Sequence, residues 1–173
     1  MTGRIGRFEI RRELGRGAHR VVHLAWDPQL EREVALKTLH LTAAERRDNA
    51  TLLGEARAVS RLRHAGILPV FEAGEEAGDP YLVFEYVEGE TLAALMRRRG
   101  ALPAAEAITL MLGVLTALAE AHGQGVIHRD LKPSNVLLVD YGTTDLRTRA
   151  RLTDFGIAFD AAAALGPEET NTT

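Results

Sequence analysis

The 173-residue sequence contains no cysteine, which removes disulfides, thiolate metal sites and a cysteine nucleophile from consideration. It has little charge imbalance. The net charge is −3 and the pI about 6.1, so there is no global electrostatic case for nucleic acid or an anionic membrane as partner. Long hydrophobic runs are also missing: the longest apolar stretch, 107–119, is bounded by Glu106 and Glu120 and is too short to span a bilayer. Met1 to Arg7 carry charge but none of the apolar core that a secretory signal needs. These absences leave a soluble, cytoplasmic protein as the expectation. Basic residues cluster locally, as at Arg97-Arg98-Arg99, and a charged run at a helix end reads as a solvated face.

What is present suffices for a substantial core: 46% of the residues are apolar, enough for one domain, or one and part of another. From Phe8 to Leu39 the pattern is β. Phe8 and Ile10, then Val21-Val22, Leu24 and Trp26, are strand-like runs broken by Gly15, Gly17 and Asp27-Pro28. The segment Leu14-Gly15-Arg16-Gly17-Ala18-His19-Arg20-Val21-Val22 lies between the first two strands. Its glycines allow a sharp turn and a close approach of backbone N–H groups to phosphate oxygens. Gly-x-Gly alone fits an ordinary hairpin equally well, and its position between strands argues against a dinucleotide-binding fold.

A third strand, Glu33 to Leu39, carries Lys37. Thr42-Ala43-Ala44-Glu45 reads as a capping box opening a helix to about Arg63, with Leu52, Ala56, Val59 and Leu62 as its inward stripe. Glu55 falls on that stripe, where an ionised carboxylate needs a cation. Lys37 on the adjacent strand is the candidate; the alternative is that Glu55 snorkels to water. Two more strands, Leu68 to Phe71 and Tyr81 to Val87, flank a Gly-rich acidic turn. At Val87–Gly89 the pattern changes from β to helical, which marks the best internal boundary.

Beyond it, Thr91 to Arg99 reads as a short helix closed by Gly100. Pro103 begins a longer one, with Ile108, Leu112, Leu115, Leu118 and Ala119 as the expected buried stripe, ending near His122-Gly123. The chain then reaches His128-Arg129-Asp130-Leu131-Lys132-Pro133-Ser134-Asn135. A solvated turn accounts for Pro133, Ser134 and Asn135. It does not account for Asp130, Lys132 and Asn135 together beside apolar segments, since each needs a partner or water. His122 reads as an end-of-helix residue, and His128 as packing and hydrogen bonding under the loop. Val136 to Val139 is a short strand, 140–151 a polar loop or exposed hairpin, and Leu152-Thr153-Asp154-Phe155-Gly156 follows.

The Gly-rich segment, Lys37, Glu55, the 128–135 loop and Asp154-Phe155-Gly156 occur in one order that closely resembles the eukaryotic-type (Hanks-type) serine/threonine protein kinase family. The wording of 7–17 and 83–92 is similar to bacterial members. The resemblance covers nearly all of 8–160. It implies an α+β, protein-kinase-like two-lobe fold, with the β-rich N-lobe at 1–87 and a partial helical C-lobe at 88–160. Residues 161–173, small, polar and acidic, would begin the activation segment and are expected to be disordered.

The same resemblance implies ATP between the lobes, under Leu14, Gly15, Arg16, Gly17, Ala18, His19 and Arg20. Val22 and Ala35 would lie above the adenine and Leu137 beneath it, with main-chain groups of Glu85 and Val87 at its edge and Phe84 gating the rear. Lys37, held by Glu55, would meet the α- and β-phosphates. Asn135 and Asp154 would hold two Mg²⁺ (or Mn²⁺) ions, Asp130 would position the protein hydroxyl, and Lys132 would neutralise charge on the γ-phosphoryl group. Lys132 two residues after Asp130 matches the serine/threonine subclass. The implied reaction transfers the ATP γ-phosphoryl group to Ser or Thr of a protein substrate, with self-association for autophosphorylation as a further partnership.

Two departures stand out. Arg20 occupies the place of the family's third glycine, and the chain stops at Thr173, before the family's Ala-Pro-Glu motif and later helices. The resemblance therefore reads as the N-terminal part of a kinase domain. Arg129 is the family's usual partner for an activation-loop phosphate, for which Thr170, Thr172 and Thr173 are candidates. A catalytically inactive ATP-binding or scaffold fragment is the alternative function. Lys132-Pro133 disfavours a third, a small-molecule phosphotransferase.

Overall fold

A computed structural model of the protein describes residues 3–17, 20–40, 49–139 and 150–155, with backbone alone at 49–53 and 55. Strands β1 (Arg4–Ile5), β2 (Phe8–Arg16), β3 (Arg20–Asp27), β4 (Arg32–Leu39), β5 (Val70–Glu76) and β6 (Asp79–Glu85) form an antiparallel sheet in the order β1-β2-β3-β4-β6-β5. β3 and β4 pair without slippage from Arg20↔Leu39 to Asp27↔Arg32. Because side chains alternate across a strand, this register sends Val22, Leu24, Ala35 and Lys37 to one face, joined by Leu82 and Phe84 of β6. Ala25, Val34, Leu36 and Val83 go to the other, where they bury Phe8 and Tyr81 in a small separate core. Two register shifts in the β2–β3 pairing, at Ile10/Arg12 and Glu13/Gly15, bend β2 over the first face, as bulges do.

The open end of the sheet is fastened by charge. Asp27 is fully buried and accepts from Arg7 Nε and Nη2, both at 3.1 Å, and from the Gln29 N–H at 3.0 Å. Arg7 also reaches Glu72 on β5, Nη1 to Oε2 at 2.7 Å. Helix α1 (Asn49–Ser60) lies against β5 and buries Ala56 and Val59, followed by Leu62, in the main core. The capping box read at Thr42 to Glu45 lies outside the described residues. The strands read from sequence at Leu68 and at Tyr81 each begin two residues away, at Val70 and Asp79. Pairing partners, not local apolar runs, set those ends.

A second, small antiparallel sheet follows: β7 (Gly89–Thr91), β8 (Val136–Val139) and β9 (Ala150–Leu152), in that order. Gly89 is required here, since a Cβ would stand 2.1 Å from the Leu138 carbonyl oxygen. Leu152 ties the small sheet to the segment that leads into β5, donating to Gly66 O at 2.8 Å and accepting from the Leu68 N–H at 2.9 Å. Helix α2 (Leu92–Arg99) ends at Gly100 as its sequence suggests, where Gly100, at φ 76°, donates to Met96 O; Thr91, read as its first residue, is instead its N-cap, with Oγ1 accepting from the Ala94 N–H at 3.1 Å.

Helix α3 (Ala104–Gly123) corrects the sequence reading. Its buried residues are Leu110, Gly113, Val114, Ala117 and Ala121, whereas Ile108, Leu112 and Leu115 are 60%, 42% and 54% exposed. The helix is apolar nearly all round, so periodicity could not select a face. Small residues select it instead: Ala117 comes so close to Gly66 that a Cβ there would stand 3.0 Å from the Ala117 methyl. The expectation that this stretch is too short for a bilayer is also revised, because the helix has 20 residues at mean hydropathy 1.5. Length and composition alone would allow a span; one face of this helix packs in the core.

Candidate active site

The bent β2–β3 pair, the end of β6 and the small sheet enclose a cleft of about 600 Å³. Leu14, Gly15, Arg16, Gly17, Arg20 and Val22 line it from above, with Ala35 and Lys37 behind them. Phe84, Glu85 and Val87 line its inner edge, and Leu137, Asn135 and Asp154 its floor. Ala18 and His19 lie outside the described residues. Glu55 lies on α1, but its side chain is outside the description too. Leu68, Tyr86, Thr91, Ala94, Arg97, Ser134 and Thr153 also line the cleft, without having been singled out from sequence. Arg97 was read only as part of a solvated basic run, and nothing local marks it as facing a cavity.

The floor is built by the loop after α3. Gly125, at φ 75°, and Arg129, at φ 60°, turn the chain, and Asp154 is also left-handed at φ 60°. Non-glycine residues in this region carry strain that persists where surrounding bonds fix it. Those bonds are present. His128, 2% exposed, hydrogen-bonds through Nε2 to Thr153 O at 3.0 Å and packs on the Phe155 ring. Burial pushes its pKa down, only partly offset by the Thr153 carbonyl, so the ring is neutral and donates. This is the packing role read from sequence.

Asn135 is 1% exposed and ties the loop together. Its Nδ2 donates to Asp130 O at 2.8 Å and to Asp130 Oδ2 at 3.1 Å. Lys132 Nζ lies 2.7 Å from the same Oδ2. Lys132 holds the Asp130 carboxyl below the usual carboxylate range; burial opposes this and the Asn135 bond reinforces it. Asp130 is therefore ionised at neutral pH and held in one orientation.

Across the cleft, Lys37 is buried and its Nζ lies 2.8 Å from Asp154 Oδ1. A buried ammonium needs such a partner. The sequence reading paired Lys37 with Glu55, whose side chain lies outside the described residues; the partner described for Lys37 is Asp154. Arg20 Nη1 takes the other oxygen of Asp154, Oδ2, at 2.9 Å.

The donor set suits a divalent cation held jointly with phosphates. Among the described residues no group of three or more His, Cys, Asp or Glu is placed to hold a metal ion. Mg²⁺ bound to phosphates takes only one or two protein oxygens, and the cleft offers two of that kind. Asp154 is a carboxylate on the cleft floor, and Asn135 Oδ1 is a buried acceptor with no partner. An orphaned buried carbonyl oxygen is costly unless something is to fill it.

Residues 8–171 match the family described as protein kinase domain. The chain belongs to the protein kinase family. It is 42% identical over 146 residues to serine/threonine-protein kinase PksC of Streptomyces coelicolor, covering 79% of this chain and 26% of that one. It is 39% identical over 156 residues to serine/threonine-protein kinase PrkC of Bacillus subtilis, covering 88% and 23%. The crystal structure of the Mycobacterium tuberculosis PknI kinase domain superposes with a TM-score of 0.76 at 32% identity, over 91% of this chain and 62% of that one. The chain thus spans about a quarter of the length of these two curated relatives. Kinases of this family use ATP and a divalent metal.

Proposed function

We propose that this chain carries the nucleotide cleft and catalytic loop of a protein serine/threonine kinase, which transfers the ATP γ-phosphoryl group to Ser or Thr hydroxyls. The observation that carries the reading is that Asn135, on the cleft floor with Asp154, holds Asp130 and through it Lys132, while Lys37 reaches Asp154 from the sheet above. Val22, Ala35 and Leu137 offer apolar walls for a flat base, and the main chain at Glu85 and Val87 offers its edge hydrogen bonds. Lys37 neutralises phosphate charge. Bound through Asp154 and Asn135, Mg²⁺ or Mn²⁺ would supply charge neutralisation on the phosphates.

Asp130 has Oδ2 committed to Lys132 and Asn135, which leaves Oδ1 to orient the acceptor hydroxyl and take its proton. As the hydroxyl oxygen bonds to the γ-phosphorus, the bond to the β-phosphate oxygen breaks and ADP leaves. Lys132 compensates the charge that develops. This chemistry asks for positioning and electrostatics, with no covalent nucleophile. The substrate is a protein, with a second copy of the chain as one candidate. The mild net charge gives no support to nucleic acid as a partner.

The test is transfer of labelled phosphate from Mg-ATP to a generic protein substrate by the wild type and by Asp130→Asn. Transfer should fall by about 10²–10⁴-fold, while Mg-ADP binding persists. Equal transfer by Asp130→Asn removes this assignment. A second reading, a nucleotide-binding module without transfer, is favoured by the engagement of both Asp154 oxygens by Lys37 and Arg20. Mg-ADP binding with no wild-type transfer would establish it.

A further inference from the structure

We propose that Arg20 is a cation built into the Gly-rich loop that competes with the divalent metal for Asp154, so the loop must let go of Asp154 before metal and nucleotide can seat. The inference rests on the kinase reading above and concerns how that site is opened. Arg20 and Asp154 are 134 positions apart, yet Nη1 and Oδ2 meet at 2.9 Å while Lys37 holds Oδ1 at 2.8 Å. Each carboxylate oxygen is committed to a cation, and a metal ion needs at least one of them.

The loop itself sets the arginine's course. The Gly17 N–H donates to Arg20 O at 2.8 Å. A Cβ at Gly17 would stand 3.0 Å from Arg20 Cγ and 3.2 Å from Nε, so this glycine leaves the room that the arginine stem occupies. Arg20 is 33% exposed and Asp154 16%, a pair close enough to solvent to exchange. With both cations in place the three side chains sum to one positive charge, which repels a divalent ion until Arg20 withdraws. Glycine at this position would leave a sum of zero. Once displaced, the guanidinium lies beside the phosphate region, where its planar fork suits phosphate oxygens.

The test titrates Mn²⁺ into the full chain at saturating ADP, which binds without turnover, and follows free Mn²⁺ by electron paramagnetic resonance. In Arg20→Gly the half-saturating Mn²⁺ concentration should fall about three- to fivefold, the scale of a partly exposed ion pair, and Arg20→Lys should stay within about twofold of wild type. Melting curves confirm folding; should Arg20→Gly not fold, Arg20→Gln keeps the stem, drops the charge and carries the same expectation. A midpoint unmoved or raised in the neutral variants overturns the proposal and leaves the nucleotide site standing. No ADP-dependent Mn²⁺ uptake by the wild type overturns the kinase reading and this proposal with it.

Discussion

Asn135 holds Asp130 through a single nitrogen, which donates to the carboxylate at 3.1 Å and to the main-chain oxygen at 2.8 Å. Its own Oδ1 stays buried without a partner. One side chain therefore fixes the residue proposed to orient the acceptor and leaves an oxygen open to a cation. Asn135→Ala should lower phosphate transfer by about 10²–10³-fold, the scale of one lost preorganised group. It should also cost about 1–2 kcal/mol in urea unfolding, because the Asp130 carbonyl loses its donor. Asn135→Asp places a second carboxylate against Asp130 and should raise the Asp130 pKa, opposing Lys132. The acid limb of its pH–rate profile should then move to higher pH; an unmoved limb would separate Asp130 from the rate.

The Arg7–Asp27 pair gives the β-sheet an acid-sensitive fastening. Arg7 is the main reason the Asp27 carboxyl sits below its usual range, with the Gln29 and Leu30 N–H groups adding to it against burial. A depressed folded-state pKa stabilises fully above the unfolded value of about 4 and is lost as pH falls through the folded value. Asp27→Ala should therefore cost about 2–3 kcal/mol at pH 7, discounted because Arg7 is partly exposed. The gap from wild type should begin to shrink as pH falls below about 4, the unfolded value, and go on shrinking towards the folded value. Urea melts at pH 7 and pH 3 measure both. A gap of equal size at the two values would show that the charge is not the source.

Ala35 tests the cleft without touching its polar chemistry. It is half-buried on β4, on the face that lines the cavity. Ala35→Leu extends a side chain into open space, so stability should change by less than about 1 kcal/mol. Binding of a fluorescent ADP analogue should weaken at least about tenfold, since a filled pocket forfeits the base's contacts. Unchanged affinity would place the base elsewhere.

What the sequence revealed and what it hid divide along one line. Gly15, Gly17, Lys37, Asp130, Asn135 and Asp154 were legible through their order along the chain, which resembles that of the kinase family although most are weak signals alone; all but Asp130 line the cleft, and Asp130 is bonded to Asn135. Arg20–Asp154 and Arg7–Asp27–Glu72 were not legible. Those partners lie far apart in the chain, and among 21 lysines and arginines nothing local distinguishes the ones that pair. Gly100 announced the end of α2 through its cap, since caps are local. Which face α3 buries depends instead on where neighbouring elements come close, and an apolar sequence on every side carries no record of that.

The register of α3 can be tested by adjacent substitutions that the sequence alone would rank the other way. Val114 is 1% exposed and its neighbour Leu115 is 54% exposed, although leucine is the larger apolar residue. Val114→Ala should cost about 2 kcal/mol through lost burial and an incompletely closed cavity. Leu115→Ala should cost less than about 0.5 kcal/mol, as an exposed helix position with a good helix former in its place. Ala117→Leu must displace the Gly66 backbone that approaches its methyl group, and should cost about 1–3 kcal/mol by overpacking. Urea unfolding of the three variants separates the two registers. If Leu115→Ala costs more than Val114→Ala, the buried face is the stripe through Ile108, Leu112 and Leu115, and the small-residue contact with Gly66 does not set the helix's rotation.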